Sequence, residues 1–314
     1  MNNKLLLPLL LAAASCHAGL NEGMAAYAGG DYATALHELQ PLAAAGNAAA
    51  ENKLGQMYAE GHGLGQDYTH ALGLFRQAAH QHYQAAATNL ALLYSQGLGV
   101  KQDTRLATQW FEKAASLGNA ADKDAMGIRF ATGQGVTTDY RRAAHWFTLA
   151  ARAGDADAQF NLGRGYSQGF GVKKDAAQAF SWAQKAAAQG VAAAQNQLGA
   201  MYEQGLGTTQ DYAQAKQNYE KAAVQGNAAA MNNLSLLYAN GRGVAVDNYQ
   251  AYVWAEAVHL AGREGPLQLS TVMAQKLPAG QRQQGEQAAR DWLGEHHLTV
   301  VAGAADTAGS GRGS

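Results

Sequence analysis

A pair of glycines two residues apart returns in strict register at Gly61/Gly63, Gly97/Gly99, Gly133/Gly135, Gly169/Gly171, Gly205/Gly207 and Gly241/Gly243, every step being 36 residues. The same step joins Asp67 to Asp103, Asp139, Asp175, Asp211 and Asp247, and Ala71 to Ala107, Ala143, Ala179, Ala215 and Ala251. A fixed period in this range marks a repeat array, in which each unit is too small to bury its own apolar face and must stack on its neighbours. That constraint overrides the two-domain organisation that a length of 314 residues would otherwise suggest.

Within each unit the apolar positions recur at a spacing near 3.6, and no proline falls between Pro41 and Pro266, so the unit reads as two helices. In "AQFNLGRGYSQGFGV" Ala158, Leu162 and Tyr166 share one face of helix A, and in "DAAQAFSWAQKAAAQG" Ala179, Trp182, Ala183 and Ala186 share one face of helix B. Gly169 and Gly190 are the expected stops, Asp175 the expected cap of helix B, and Asn47, Asn119, Asp155 and Asn227 the caps of successive helices A. The fold class is therefore all-α, an α/α solenoid of antiparallel helix pairs with a 36-residue period.

One copy of the turn, "YAEGHGLGQDY" at 58–68, taken alone suggests a phosphate cradle. That chemistry needs a strand before the glycines and a helix after them. In register, Gly61 instead ends a helix, Gly63 lets the chain turn, and the Asp67 carboxylate meets the backbone N–H groups an anion would use. His62 and Gly65 are what distinguish this copy from the others, and any task of this turn beyond folding is expected there.

Small residues stand where the helices of a pair must approach: Gly55, Ala91, Gly127, Gly163, Gly199 and Ser235 on helix A, and Ala78-Ala79, Ala114-Ala115, Ala150-Ala151, Ala186-Ala187 and Ala222-Ala223 on helix B. Trp110, Trp146, Trp182 and Trp254 recur at one helix-B position, with Leu74 and Asn218 as exceptions, and are expected to be buried core rather than a cofactor box.

Net charge is −1 and only 15% of residues are charged, so no field for a nucleic acid exists and a polyanionic partner is not expected. Residues 1–18 have a short positive start, an apolar run and small residues at the end, the pattern of a signal peptide, which makes the mature protein periplasmic or secreted. Cleavage before Cys16 is the alternative and would leave a lipid anchor there, although Ala13 is a loose match to the lipoprotein signal. With one cysteine there is no intramolecular disulfide, and no later run is long enough to span a membrane.

The repeat "AATNLALLYSQGLGVKQDTRLATQWFEKAASLG" (86–118) resembles the Sel1-like repeat, a bacterial relative of the tetratricopeptide solenoids, with Ala91 in place of the motif glycine. The resemblance implies a helix pair of tetratricopeptide type over 19–46, six Sel1-like repeats over 47–263, C-terminal capping helices over 264–296 and a disordered tail over 297–314. It also implies a non-enzymatic scaffold of the cell envelope that holds a protein or peptide partner in a concave groove, without cofactor or metal. In the tetratricopeptide relatives an Asn before the "LG" lines that groove; Asn89, Asn161 and Asn233 match it, Gln197 and Lys53 occupy the same position, and Ala125 breaks the row. An amide there can meet both donors and acceptors of an extended peptide, or it can bond a neighbouring helix.

Other motifs carry less. "GYSQG" (165–169) matches the nucleophile-elbow pattern, but Ser167 falls at a helix end rather than after a strand. A cysteine-rich branch of the family has been associated with β-lactam hydrolysis; this chain has neither its cysteines nor any S-x-x-K, which leaves a hydrolase, like a lipid-anchored assembly factor, an alternative to the scaffold. His80 and His82 diverge on a helix and suit a metal poorly, "EHH" at 295–297 reads as a helix end, and Arg141-Arg142 and Lys173-Lys174 read as solvated surface.

Overall fold

The structure, a computed structural model, describes residues 18–263 and 267–301. The expected signal segment up to residue 17, with Cys16, and the tail beyond residue 301 lie outside the described residues. Among those described there are 16 helices and no strand. They are α1 (18–28), α2 (Tyr32–Ala44), α3 (Ala48–Glu60), α4 (Tyr68–His80), α5 (Gln84–Gln96), α6 (Thr104–Leu117), α7 (Ala120–Thr132) and α8 (Tyr140–Arg152). After them come α9 (Ala156–Gln168), α10 (Ala176–Ala188), α11 (Ala192–Gln204), α12 (Tyr212–Ala223), α13 (Ala228–Asn240), α14 (Asn248–Leu260), α15 (Leu267–Gln275) and α16 (Ala279–Glu295).

The chain divides after Ala153 into two compact units. In the first, α3, α5 and α7 are helices A, each packed against the helix B that follows it, and α2 covers α3. In the second, α9, α11 and α13 pair in the same way with α10, α12 and α14, while α15 and α16 pack on α14.

Each turn between helix A and helix B is built identically. The first glycine is a left-handed C-cap, with φ of 73° at Gly61 and 82° at Gly169. The N–H of each capping aspartate then donates back to helix A, Asp67 to the Tyr58 carbonyl at 2.9 Å and Asp211 to the Tyr202 carbonyl at 2.9 Å. Each aspartate carboxylate accepts an N–H of the first turn of helix B, as Asp67 does from His70 and Asp211 from Gln214. The second glycine is fixed by a close approach as well as by its φ: a Cβ at Gly207 would lie 2.1 Å from the Ala176 carbonyl oxygen, so this turn rests on the start of the preceding helix B. Asn47, Asn119, Asp155 and Asn227 cap their helices through side-chain oxygens, whereas Tyr83 and Val191 at the same position do not.

The tryptophan register needs a correction. Only Trp146 is buried; Trp110, Trp182 and Trp254 are half-buried at the rim, with Lys113 and Lys185 over the rings of Trp110 and Trp182 at 5.0 and 4.0 Å. On helix B the aromatic one position later lies deeper in three units, where Phe75, Phe111 and Tyr219 are 2%, 3% and 1% exposed. They face the small residue of helix A, because a helix turns 100° per residue and that step carries the side chain from the rim to the pair interface. Asn218, at the tryptophan position, is buried with its amide donating to the Gln214 carbonyl at 2.8 Å.

Residues 297–301, where the disordered tail was expected to begin, instead return along α14: the Val301 N–H donates to the Leu260 carbonyl at 2.9 Å, and Leu298 and Val300 pack on the core of α12 to α14. Two apolar side chains and a backbone bond there outweigh the low-complexity sequence that follows.

The helix A glycines give a test of opposite signs. A Cβ at Gly127 would sit 2.5 Å from ring atoms of Phe147, whereas at Gly163, opposite Ala183, the nearest atoms are at 3.4 Å. Gly127→Ala should destabilise by about 1–3 kcal/mol through overpacking, and Gly163→Ala should be neutral or stabilising by up to about 1 kcal/mol through helix propensity; urea unfolding followed by circular dichroism measures both.

Candidate functional site

The amide register lies on helix A, half-buried, one residue before the apolar anchor. Asn89 on α5 donates through Nδ2 to Oδ1 of Asn52 on α3 at 2.9 Å, and Asn233 on α13 donates to Oδ1 of Asn196 on α11 at 2.9 Å. The two bonds are the same contact in the two units, each joining neighbouring helices A through side chains. An amide so held keeps its carbonyl oxygen and one N–H for a further partner, with its orientation already fixed. Asn161 takes the same register on α9. Gln197 has its Oε1 buried with no donor among the described residues, an arrangement that costs about 1–3 kcal/mol unless something supplies one.

Lys53 differs from the amides. Its ammonium lies 4.1 Å from the centre of the Tyr27 ring on α1, and burial lowers its pKa while Glu60 partly offsets this. Tyr27 also donates to Glu60, whose Oε2 is 3.0 Å from His62 Nδ1, and the imidazole stacks on Tyr32 at 4.5 Å. Burial and the Glu60 carboxylate hold the Tyr27 phenol far above the ordinary tyrosine range. His62, singled out as individual to the first turn, thus ties that turn to α1 and α2, while Gly65 faces open space.

Where Ala125 interrupts the row, a cleft of about 120 Å³ opens, lined by Thr88, Phe111, Asp122, Met126 and Arg129. The Arg129 guanidinium lies over Phe111 at 4.0 Å and donates to the Gln134 carbonyl at 3.2 Å. Burial lowers its pKa, and no carboxylate pairs with it among the described residues. The Asp122 carboxylate is held by the Asn119 N–H at 2.8 Å.

Beside the amide register runs a second one that sequence reasoning missed. Gln81 donates to Glu51 at 2.9 Å, Gln189 to Gln159 at 2.8 Å and Gln225 to Gln195 at 2.8 Å, each bond pinning the end of helix B to a buried side chain of helix A. Two other units replace both partners with apolar residues, Ala87 with Leu117 and Met231 with Ala261. The signal was present in the sequence, since in five of the six units the two positions, 30 residues apart, are both polar or both apolar, as expected if an unpaired buried amide is worse than none. The exception sets Lys123 against Ala153, and its ammonium donates to the Asn119 carbonyl at 3.3 Å.

The decoy motifs find structural places. Ser167 is exposed on the last turn of α9 with no strand before it, so the strained turn of a nucleophile elbow is absent. His80 meets Trp110 edge-on at 6.0 Å, and His82 takes φ of 63° where other units have glycine. No three metal-ligating side chains converge among the described residues. Arg142, expected as solvated surface, pairs with Glu112 of α6 and lies 4.2 Å over Phe130 of α7.

The Sel1 repeat matches at residues 48–83, 84–119, 125–155, 156–191, 192–227 and 228–257. A Sel1 repeat protein from Oxalobacter formigenes is similar at 32% identity, with 74% of this chain and 96% of that one covered and a TM-score of 0.58. A protective antigen of uropathogenic Escherichia coli with the same fold is similar at 26% identity, covering 95% of this chain and 72% of the antigen, with a TM-score of 0.62. No curated protein matches the sequence.

Two expectations follow from the pinning register. Gln225→Ala alone should cost about 1–3 kcal/mol by stranding Gln195, and adding Gln195→Met, which reproduces the Met231/Ala261 pair, should restore most of the denaturation midpoint. Burial pushes the Glu51 carboxyl up, the Gln81 bond opposing less strongly. Its folded pKa therefore exceeds its unfolded one, and stability falls as pH rises from the usual carboxylate range through the folded value. Glu51→Gln should raise the midpoint near pH ~7 and leave it unchanged near pH ~3, where both forms are neutral.

Proposed function

The chain belongs to the Sel1 repeat family, and from that premise we propose that it is a non-enzymatic scaffold of the bacterial cell envelope that holds an extended peptide or a protein partner against its helix A faces. Sel1 repeat proteins are generally protein-interaction scaffolds. The observation that carries the reading is the pre-oriented amide that each compact unit holds, Asn89 in the first and Asn233 in the second, each fixed by the helix A before it with hydrogen-bonding capacity left over. An extended segment brings unpaired backbone N–H and C=O groups, which is what a side-chain amide complements on both counts. Gln197 Oε1 adds a buried acceptor, and Arg129 adds a cation with no carboxylate of its own. The N-terminal sequence supports export to the periplasm, with lipidation at Cys16 the alternative.

Cross-linking in intact cells followed by mass spectrometry tests the scaffold. Asn89→Ala with Asn233→Ala should lower the yield of the cross-linked partner at least about fivefold while helicity is retained. A fall in thermal stability with the yield unaltered would make the amides purely structural. Envelope fractionation tests the location: the protein is expected in the periplasmic fraction, and Cys16→Ser should not change this. A shift of the wild type to the membrane, abolished by that substitution, would replace the soluble form with an anchored one.

A further inference from the structure

The tryptophans of the helix-B register differ in what covers them. Trp110 and Trp182 each carry a lysine from one turn later, Lys113 and Lys185. Trp146 donates its indole N–H to Glu112. Trp254 has Ala257 one turn later and meets instead the indole of Trp292 on α16, the ring centres 4.8 Å apart and the planes at 69°. Neither ring has a lysine or arginine over it among the described residues.

Between α14 and α16 these indoles form the walls of a cleft of about 350 Å³, with Tyr249 and Val253 on one side and Asp291 and Glu295 on the other. Asp291 and Glu295 stand one turn apart on α16 and are both exposed. One oxygen of Asp291 accepts from Gln287 at 2.7 Å. The nearest cation along the helix, Arg290, is held by Glu286 at 2.8 Å. His296 stacks on Trp292 at 4.5 Å with Nδ1 donating to the Trp292 carbonyl at 2.8 Å.

We propose that this cleft, distinct from the amide register, binds the side chain of an arginine presented by a partner peptide. At two other units the repeat supplies its own cation to the indole; here α16 supplies two carboxylates and the cation is left to come from outside. A guanidinium suits the arrangement better than an ammonium, because its plane lies flat on an indole while its edge donates in parallel to carboxylate oxygens. The walls exclude water on the apolar side, which strengthens both contacts.

The test uses the full chain and three acetylated, amidated pentapeptides, Gly-Ser-X-Ser-Gly, with X arginine, lysine or glutamine. Chemical shifts of the Trp254 and Trp292 indole N–H groups are followed by NMR. The arginine peptide should shift both signals with a Kd on the order of 1 mM, the lysine peptide should bind several-fold more weakly, and the glutamine peptide should leave them in place. Asp291→Asn with Glu295→Gln should weaken the arginine peptide about tenfold with an unchanged circular dichroism spectrum. Absent shifts, equal binding of the glutamine peptide, or undiminished binding by the double variant overturns the site. Lysine binding as tight as arginine overturns the guanidinium assignment.

Discussion

How closely helix A can approach helix B sets the geometry of every unit. The approach is decided by one side chain on helix A against one on helix B. Where helix B presents Phe75, Phe147 or Tyr219, helix A has Gly55, Gly127 or Gly199, and a Cβ at any of these would fall at 2.7 Å or less from the ring. Where helix B presents Ala255, helix A has Ser235, whose hydroxyl donates to the Ala251 carbonyl at 2.6 Å. In these units bulk on one side is matched by its absence on the other, as close packing requires, whereas Gly163 faces Ala183 and a Cβ there would find its nearest atoms at 3.4 Å. The alanine pairs and the glycine turns then follow, since they hold the helices at the spacing this contact sets.

The turns turn proximity into direction. A left-handed glycine stops helix A, the aspartate N–H bonds back to the helix just ended, and the aspartate carboxylate opens the next. All of these interactions are local in sequence, so a unit needs no distant partner to choose its conformation. Stacking adds what a unit lacks, through the second glycine against the preceding helix B and through the amides that join neighbouring helices A.

The polar side chains inside the array fall into sets with different consequences. The Gln81, Gln189 and Gln225 bonds close on themselves and pin a helix end. The Asn89 and Asn233 bonds leave an oxygen and a hydrogen over. The first set is architecture, and the second is the part of the helix A face with chemistry to offer an extended chain. Lys53 had the same sequence credentials as the asparagines, yet it packs over the Tyr27 ring of α1, where Asn89 and Asn233 meet an asparagine of the helix A before them.

The sequence by itself determined the solenoid, its period, its turns and most of its caps, because these depend on residues within one unit and are repeated often enough to be read in register. It also placed the amide row on helix A. Tertiary structure alone decided which aromatic lies deepest, since Trp110 and Phe111 are equally apolar neighbours and only the facing helix distinguishes rim from core. It decided likewise that Asn89 and Asn233 are bonded to the unit before them, that residues 297–301 fold back on α14, and that Trp254 meets Trp292 instead of a lysine. Those are contacts between segments tens of residues apart, and a local pattern specifies what a residue can do but not what is brought beside it.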